Sequence, residues 1–148
     1  MIVKNEAAFL EGCLSSLLGH VDEIVIVDTG SSDETLDIAR KFDCTLLQQA
    51  WRNDFSAARN TALENATSDW ILYIDADERI GCPDGVTLRD LLPGTETAAA
   101  RVRFQPRSDM TSYGEMRLFR RDQRIRFQGA MHETMIPAIE LVCREDRL

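Results

Sequence analysis

No apolar run in this chain approaches the roughly 20 residues that a membrane-spanning helix needs. No secretory leader is evident either, because Met1-Ile2-Val3 reaches the polar Lys4-Asn5-Glu6 too soon. No C-x-x-C pair joins Cys13, Cys44, Cys82 and Cys143, a spacing that speaks against zinc and for reduced thiols. Positive charge is also in deficit. Seventeen Lys and Arg stand against 25 Asp and Glu, a net charge of −8, which argues against a nucleic-acid surface. There is no internal repeat, no low-complexity linker, and no Gly-rich, Lys-bearing phosphate loop near the first strand. What remains is 148 residues, 44% hydrophobic and 28% charged, which fits one soluble domain with a sizeable core. A cytoplasmic location is expected, with peripheral contact at the inner face of the membrane as a further option.

Against that background one stretch stands out. Trp70-Ile71-Leu72-Tyr73-Ile74 is an apolar strand that ends in Asp75-Ala76-Asp77-Glu78. Carboxylates crowded at the end of a buried strand repel one another unless a cation or hydrogen-bond donors offset them. Hard oxygen ligands suit Mg²⁺ or Mn²⁺, whose sites often take one or two protein carboxylates plus substrate phosphates. The bland alternative is a strand followed by an acidic, solvated turn.

Upstream, strand-like and helix-like patterns alternate, which predicts an α/β layer structure with a mainly parallel sheet. Leu10, Cys13, Leu14, Leu17 and Leu18 lie at helical spacing behind Asn5 as a cap. Ile24-Val25-Ile26-Val27 reads as a strand buried on both faces, stopping at Asp28. Ser31 and Glu34 form a capping-box pattern before a helix with Leu36, Ala39 and Phe42. A strand at Thr45-Leu46-Leu47 follows. Asp54 is positioned to cap a helix carrying Ala58, Ala62 and Ala66, which Thr67-Ser68-Asp69 breaks. Beyond Glu78 a loop-rich stretch with a short helix over 86–92 precedes strands at 100–104, 116–119 and 125–127. Trp51 and Phe55 read as core or rim packing, with stacking on a sugar or base as the lesser alternative, and Trp70 as a strand anchor. Arg101, Arg103, Arg107, Arg117, Arg120, Arg121, Arg124 and Arg126 crowd one late section, either as a solvated face or as a surface for phosphates or acidic head groups.

Open parallel sheets bind ligands outside the carboxyl ends of their strands. Asp28 and Asp75 both occupy such ends, and Asn5-Glu6 would join them, giving a pocket rimmed by acids with helix N-termini behind it.

Four motifs in order, Met1-Ile2-Val3-Lys4-Asn5-Glu6, Val27-Asp28-Thr29-Gly30-Ser31-Ser32-Asp33-Glu34-Thr35, Asp54-Phe55-Ser56-Ala57-Ala58-Arg59-Asn60 and Asp75-Ala76-Asp77-Glu78, resemble family 2 glycosyltransferases. Arg117-Leu118-Phe119-Arg120-Arg121 and Gly129-Ala130-Met131-His132-Glu133 are similar to a bacterial subgroup that resembles lipopolysaccharide-core and peptide-directed enzymes. The resemblance implies a GT-A fold, Rossmann-like with helices on both sheet faces, and an inverting transfer from a nucleotide sugar. A UDP-sugar is favoured as donor, and the acceptor is a glycan, lipid-linked or peptide group. It implies that Val3, Asn5, Glu6, Asp28, Arg59 and Asp75 contact the donor, Asp28 at the base and Arg59 on the nucleotide side. It further implies that Asp77, Asp75 and His132 hold Mn²⁺ or Mg²⁺, and that Glu133 is the base. His132 also reads as a surface imidazole, and Glu78 as support behind the metal or a solvated turn acid. The expected domain spans 1–148, with 1–80 the donor half and 81–148 a partial acceptor half, truncated at both ends relative to the family. The rival readings are a non-catalytic nucleotide-sugar-binding domain and, more remotely, a nucleotidyltransferase.

Overall fold

The computed structural model describes residues 1–106 and 109–147. Its first half is a parallel sheet in the order β1-β2-β3, formed by β1 (Ile2–Val3), β2 (Val25–Asp28) and β3 (Thr45–Gln48). The crossovers are α1 (Leu10–Leu17) and α2 (Thr35–Ala39). Apolar periodicity explains α1. Leu10, Cys13, Leu14 and Leu17 are all buried, and they pack with Val3, Ile24, Ile26, Ile38 and Ala39 into one core. Leu18 departs from the predicted stripe. It ends the helix in an extended conformation and is 61% exposed.

The second half is a separate antiparallel sheet in the order β4-β6-β5, built from β4 (Trp70–Leu72), β5 (Ala99–Phe104) and β6 (Tyr113–Arg120). Strand pairing is therefore parallel only in the first half of the chain. Between β1 and β4 lies a cavity of about 410 Å³, lined by Ile2, Val25, Leu63, Ile71 and Leu72 among others. α3 (Phe55–Asn65) contacts both β1 and β2, and its Ala58 is buried. As predicted, Asp54 caps α3, accepting a hydrogen bond from the Ala57 amide at 3.0 Å.

Two other predicted caps are not formed. Asn5 adopts a left-handed backbone (φ 57°) and turns away from α1, which starts beyond it at Leu10 without a side-chain cap. Ser31 and Glu34 form no capping box, because the Asp33 carboxylate takes the Thr35 amide (3.0 Å) and Ser31 serves another loop. The expected helix over 86–92 contracts to one 3₁₀ turn at Arg89–Leu91, where Asp90 accepts the Thr87 amide at 2.8 Å.

The strand predicted at 125–127 is absent. Ile125 and Phe127 are buried as their hydrophobicity demands, but the Phe127 backbone pairs with a side chain instead of a strand. Asn60 donates to the Phe127 carbonyl and accepts from its amide, both at 2.9 Å. A carboxamide carries both donor and acceptor and so substitutes for one ladder position. α4 (Ile136–Asp146) was not anticipated, although Met135, Ala138, Ile139 and Val142 repeat at helical spacing and Pro137 suits a first turn. It packs with Phe119, Ile125 and Phe127 in a second core. No helix among the described residues is long and apolar enough to cross a membrane.

Candidate functional site

The loops after β1 and β2 are stitched together by short polar side chains. The Asn5 amide donates to Ser31 Oγ (2.9 Å), and Asn5 Oδ1 accepts from the Ser32 amide (2.8 Å). The Glu6 amide donates to Thr35 Oγ1 at 2.8 Å. Asp28 is fully buried, and its carboxylate accepts the amides of Gly30 (3.0 Å) and Ser31 (3.2 Å). Gly30, at φ 107°, supplies a conformation closed to other residues. Asp28 and Asn5 thus face protein, and they set where Thr29 and Glu6 stand.

Those two residues line a cleft of about 470 Å³ together with Val3, Lys4, Trp51, Phe55, Arg59, Asp75 and Asp77. The cleft sits at the carboxyl ends of β1 and β2 and beyond the end of β4, where open α/β sheets bind ligands. Trp51 and Phe55 pack edge to face at 4.7 Å along one wall. Glu6, Asp75 and Asp77 make the opposite chemistry. Burial, and then the charges of Asp77, Asp33 and Asp75, push the Glu6 carboxyl above its ordinary range. Asp77 is exposed, and its carboxylate has no hydrogen-bond or ion-pair partner among the described residues.

Asp75 is held, in contrast, from two sides. Arg59 Nη1 reaches its Oδ1 at 3.0 Å, and Arg117 Nη1 approaches its Oδ2 at 3.5 Å. Arg59 also donates through Nε to Glu133 Oε1 at 2.6 Å. Both guanidiniums lie against the Tyr73 ring, at 5.1 and 4.4 Å from its centroid, so their charge is supported by a π face as well as by acids. Glu78 is second-line support. It accepts from the Asp75 amide (2.8 Å) and from Arg117 Nη2 (2.9 Å). Burial raises its carboxyl above the ordinary range, while those two donors pull the other way.

Glu133 comes to Arg59 because its turn is pinned to the start of α3. Ser56 Oγ donates to the Gly129 carbonyl at 2.6 Å, and the Phe55 amide donates to the Ala130 carbonyl at 3.1 Å. Gly129, at φ 98°, opens that turn. Glu133 is 13% exposed and is not among the residues lining the cleft.

Val3, Glu6, Arg59, Asp75 and Asp77 are thus brought to one place, with Glu133 behind Arg59. His132 is not. It is exposed on the Gly129 turn with a left-handed backbone (φ 55°) and lines no part of the cleft. Among the described residues no three His, Cys, Asp or Glu side chains form a metal-binding group, so the predicted Asp75-Asp77-His132 set does not assemble. The arginine-rich section is mostly consumed internally. Arg120 stacks on Trp70 (4.7 Å) and donates to the Thr97 carbonyl, whereas Arg124 pairs with Asp122, Glu145 and Asp146. Arg107 lies outside the described residues. Asn60 and Arg117 carry roles that residue-by-residue reading did not give them, since both act on partners far away in sequence.

Fold and cleft define an α/β protein with an acidic cleft at the carboxyl ends of β1 and β2 and beyond β4. The sequence model of glycosyl transferase family 2 matches residues 1–92, more than half of the chain, and the chain belongs to that family. It is 44% identical over 135 residues to a TPR repeat-containing protein of Synechococcus elongatus, covering 90% of this chain and 34% of that protein. It is 32% identical over 139 residues to the glycosyltransferase SunS of Bacillus subtilis, covering 90% and 33%, respectively. To the lipopolysaccharide core biosynthesis glycosyltransferase LpsC of Rhizobium meliloti it is 31% identical over 156 residues, covering 93% and 56%. The chain therefore spans a third to somewhat over half of the length of these relatives. The crystal structure of Staphylococcus aureus TarS 1-349 superposes with a TM-score of 0.57 at 18% identity, covering 93% of this chain and 51% of that one. That likeness is one of fold, the GT-A fold of the family.

Proposed function

We propose that this chain is the donor-binding part of an inverting, metal-dependent glycosyltransferase. It takes a sugar from a nucleotide-sugar donor, a UDP-sugar favoured, and passes it to an acceptor in bacterial cell-surface glycan or glycoconjugate synthesis. The observation that carries this reading is the Asp77 carboxylate, without a partner among the described residues, in a cleft it shares with Asp75, Glu6 and Arg59.

A Mn²⁺ or Mg²⁺ ion fits that donor set. Such ions use one or two carboxylates and complete their shell with substrate phosphates and water, so a third protein ligand is not required. Asp77 would hold the ion, Asp75 being engaged by Arg59 and Arg117, and the ion would supply charge neutralisation to the diphosphate leaving group. The side chains do the rest. Arg59 faces the phosphates, and the Trp51-Phe55 wall offers an apolar surface to base or sugar. Asp28 contributes by anchoring the turn that carries Thr29, since its own carboxylate is buried. Glu133, oriented by Arg59, removes the acceptor proton on the side away from the leaving group. The partial acceptor half at 81–148 and any contact with a membrane surface belong to this proposal.

A second reading, a nucleotide-sugar-binding domain without turnover, is favoured by one observation: Glu133 sits behind Arg59 and lines no part of the cleft. Titration calorimetry against nucleoside diphosphates and nucleotide sugars, with and without Mn²⁺, tests the site common to both. At least one nucleotide should bind about tenfold more tightly with the metal. If none does, the donor-site reading fails.

A further inference from the structure

The side chain most deeply engaged with the acidic turn is one that lines no part of the cleft. Arg117 stands on β6, is 12% exposed, and uses every face of its guanidinium. Nη2 binds Glu78 Oε1 at 2.9 Å, Nη1 approaches Asp75 Oδ2 at 3.5 Å, and Nε binds Glu115 Oε2 at 2.6 Å. Its Cζ lies 4.4 Å from the Tyr73 centroid, and Tyr73 stands two residues ahead of the turn, just past the end of β4. The Glu78 carboxylate, so held, in turn accepts the Asp75 amide. The turn at 75–78 is therefore closed by one arginine from the antiparallel sheet and one, Arg59, from α3. Of its acids, Asp77 alone is left without a partner among the described residues and exposed to the cleft.

We infer that Arg117 is a positioning residue: it clamps the turn at 75–78 from behind, so that the Asp77 carboxylate is presented to a divalent cation while Asp75 and Glu78 are withheld from it. The inference rests on the donor-site reading above. Its chemistry is specific to a planar fork. A guanidinium can serve Glu78, Asp75 and Glu115 at once and still stack on an aromatic ring, whereas an ammonium is a point charge that cannot. Arg120, on the same strand, offers the contrast. It stacks on Trp70 and binds the Thr97 and Gly94 carbonyls but touches none of the acids.

The test compares Arg117→Gln, Arg117→Lys and Arg120→Gln with the unaltered chain. Two readouts are taken on each: affinity for UDP with and without MnCl₂ by calorimetry, and hydrogen exchange of the Asp75 amide by NMR. Arg117→Gln should lose at least tenfold of the Mn²⁺-dependent gain in UDP affinity, and its Asp75 amide should exchange at least tenfold faster. Arg117→Lys should fall between. Arg120→Gln should lower the melting temperature yet leave both readouts unchanged, which separates positioning from general stability. A folded Arg117→Gln chain that keeps the metal-dependent gain, or keeps the Asp75 amide protected, overturns the clamp. Should Arg117→Gln not fold, Arg117→Lys carries the same two readouts. No Mn²⁺-dependent UDP affinity in the unaltered chain overturns the donor-site reading and the cation half of this one. In that case the exchange rates alone still decide whether Arg117 holds the turn.

Discussion

Arg59 Nε donates to Glu133 Oε1 at 2.6 Å, joining two side chains that lie 74 positions apart in the chain. One guanidinium thereby ties the cleft, through Asp75, to the turn that follows Gly129. Charge-assisted bonds of this kind are short and directional, so they fix geometry as well as adding energy. The proposed donor and acceptor sides meet at a single residue of α3.

Glu133→Gln keeps the size of the side chain and an oxygen for Arg59 but removes the proposed base. Transfer should fall by about 10² to 10⁴, the usual span for a general base, while nucleotide affinity stays within about twofold. Initial rates and calorimetry on the same samples check this. Undiminished transfer would move the base elsewhere.

Asp77→Ala should abolish the Mn²⁺ dependence of nucleotide binding. Because the side chain is exposed and has no partner among the described residues, unfolding free energy should change by no more than about 0.5 kcal/mol. Urea denaturation alongside the titrations measures both. Retained metal dependence would place the cation on other ligands.

Asp28→Ala strips the Gly30 and Ser31 amides of their acceptor at a fully buried position. Losing hydrogen bonds to a charged acceptor costs about 1.5–3 kcal/mol, and the urea midpoint should drop accordingly. A midpoint unchanged from the parent chain would show that the turn closes without this carboxylate.

Glu23 yields a pH prediction away from the cleft. Burial pushes its carboxyl up from the ordinary value of 4.5, but bonds from the amides and hydroxyls of Thr67 and Ser68 outweigh it, and the net shift is downward. A carboxylate held low in the fold adds stability above its unfolded pKa and loses it as pH falls through the folded one. Urea midpoints should therefore decline from about pH 4.5 downward, and Glu23→Gln should flatten part of that decline. Identical profiles for the two proteins would remove Glu23 as a contributor.

How much of this was legible in the chain follows from the range of each interaction. The α1 stripe, the buried run ending at Asp28, the Asp54 cap and the acidic end of β4 are local patterns, and all were read from sequence. The cap assigned to Asn5 and the capping box at Ser31 failed because those side chains had a better use between loops 26 and 27 residues apart. The strand at 125–127 failed because Asn60 serves as its backbone partner, and no periodicity encodes a side chain acting as a strand.

The amino-acid sequence by itself determined the α/β order, the family motifs and the gathering of acids at strand ends, because periodicity and capping act over a few residues. Only the tertiary structure decided which acids are free. Asp75, Glu78 and Glu133 are taken by Arg59 and Arg117, whereas Asp77 is not, and His132 stays outside the cleft. Ion pairing depends on distances between elements that are remote in sequence, and those distances exist only once two sheets and a helix have packed against one another.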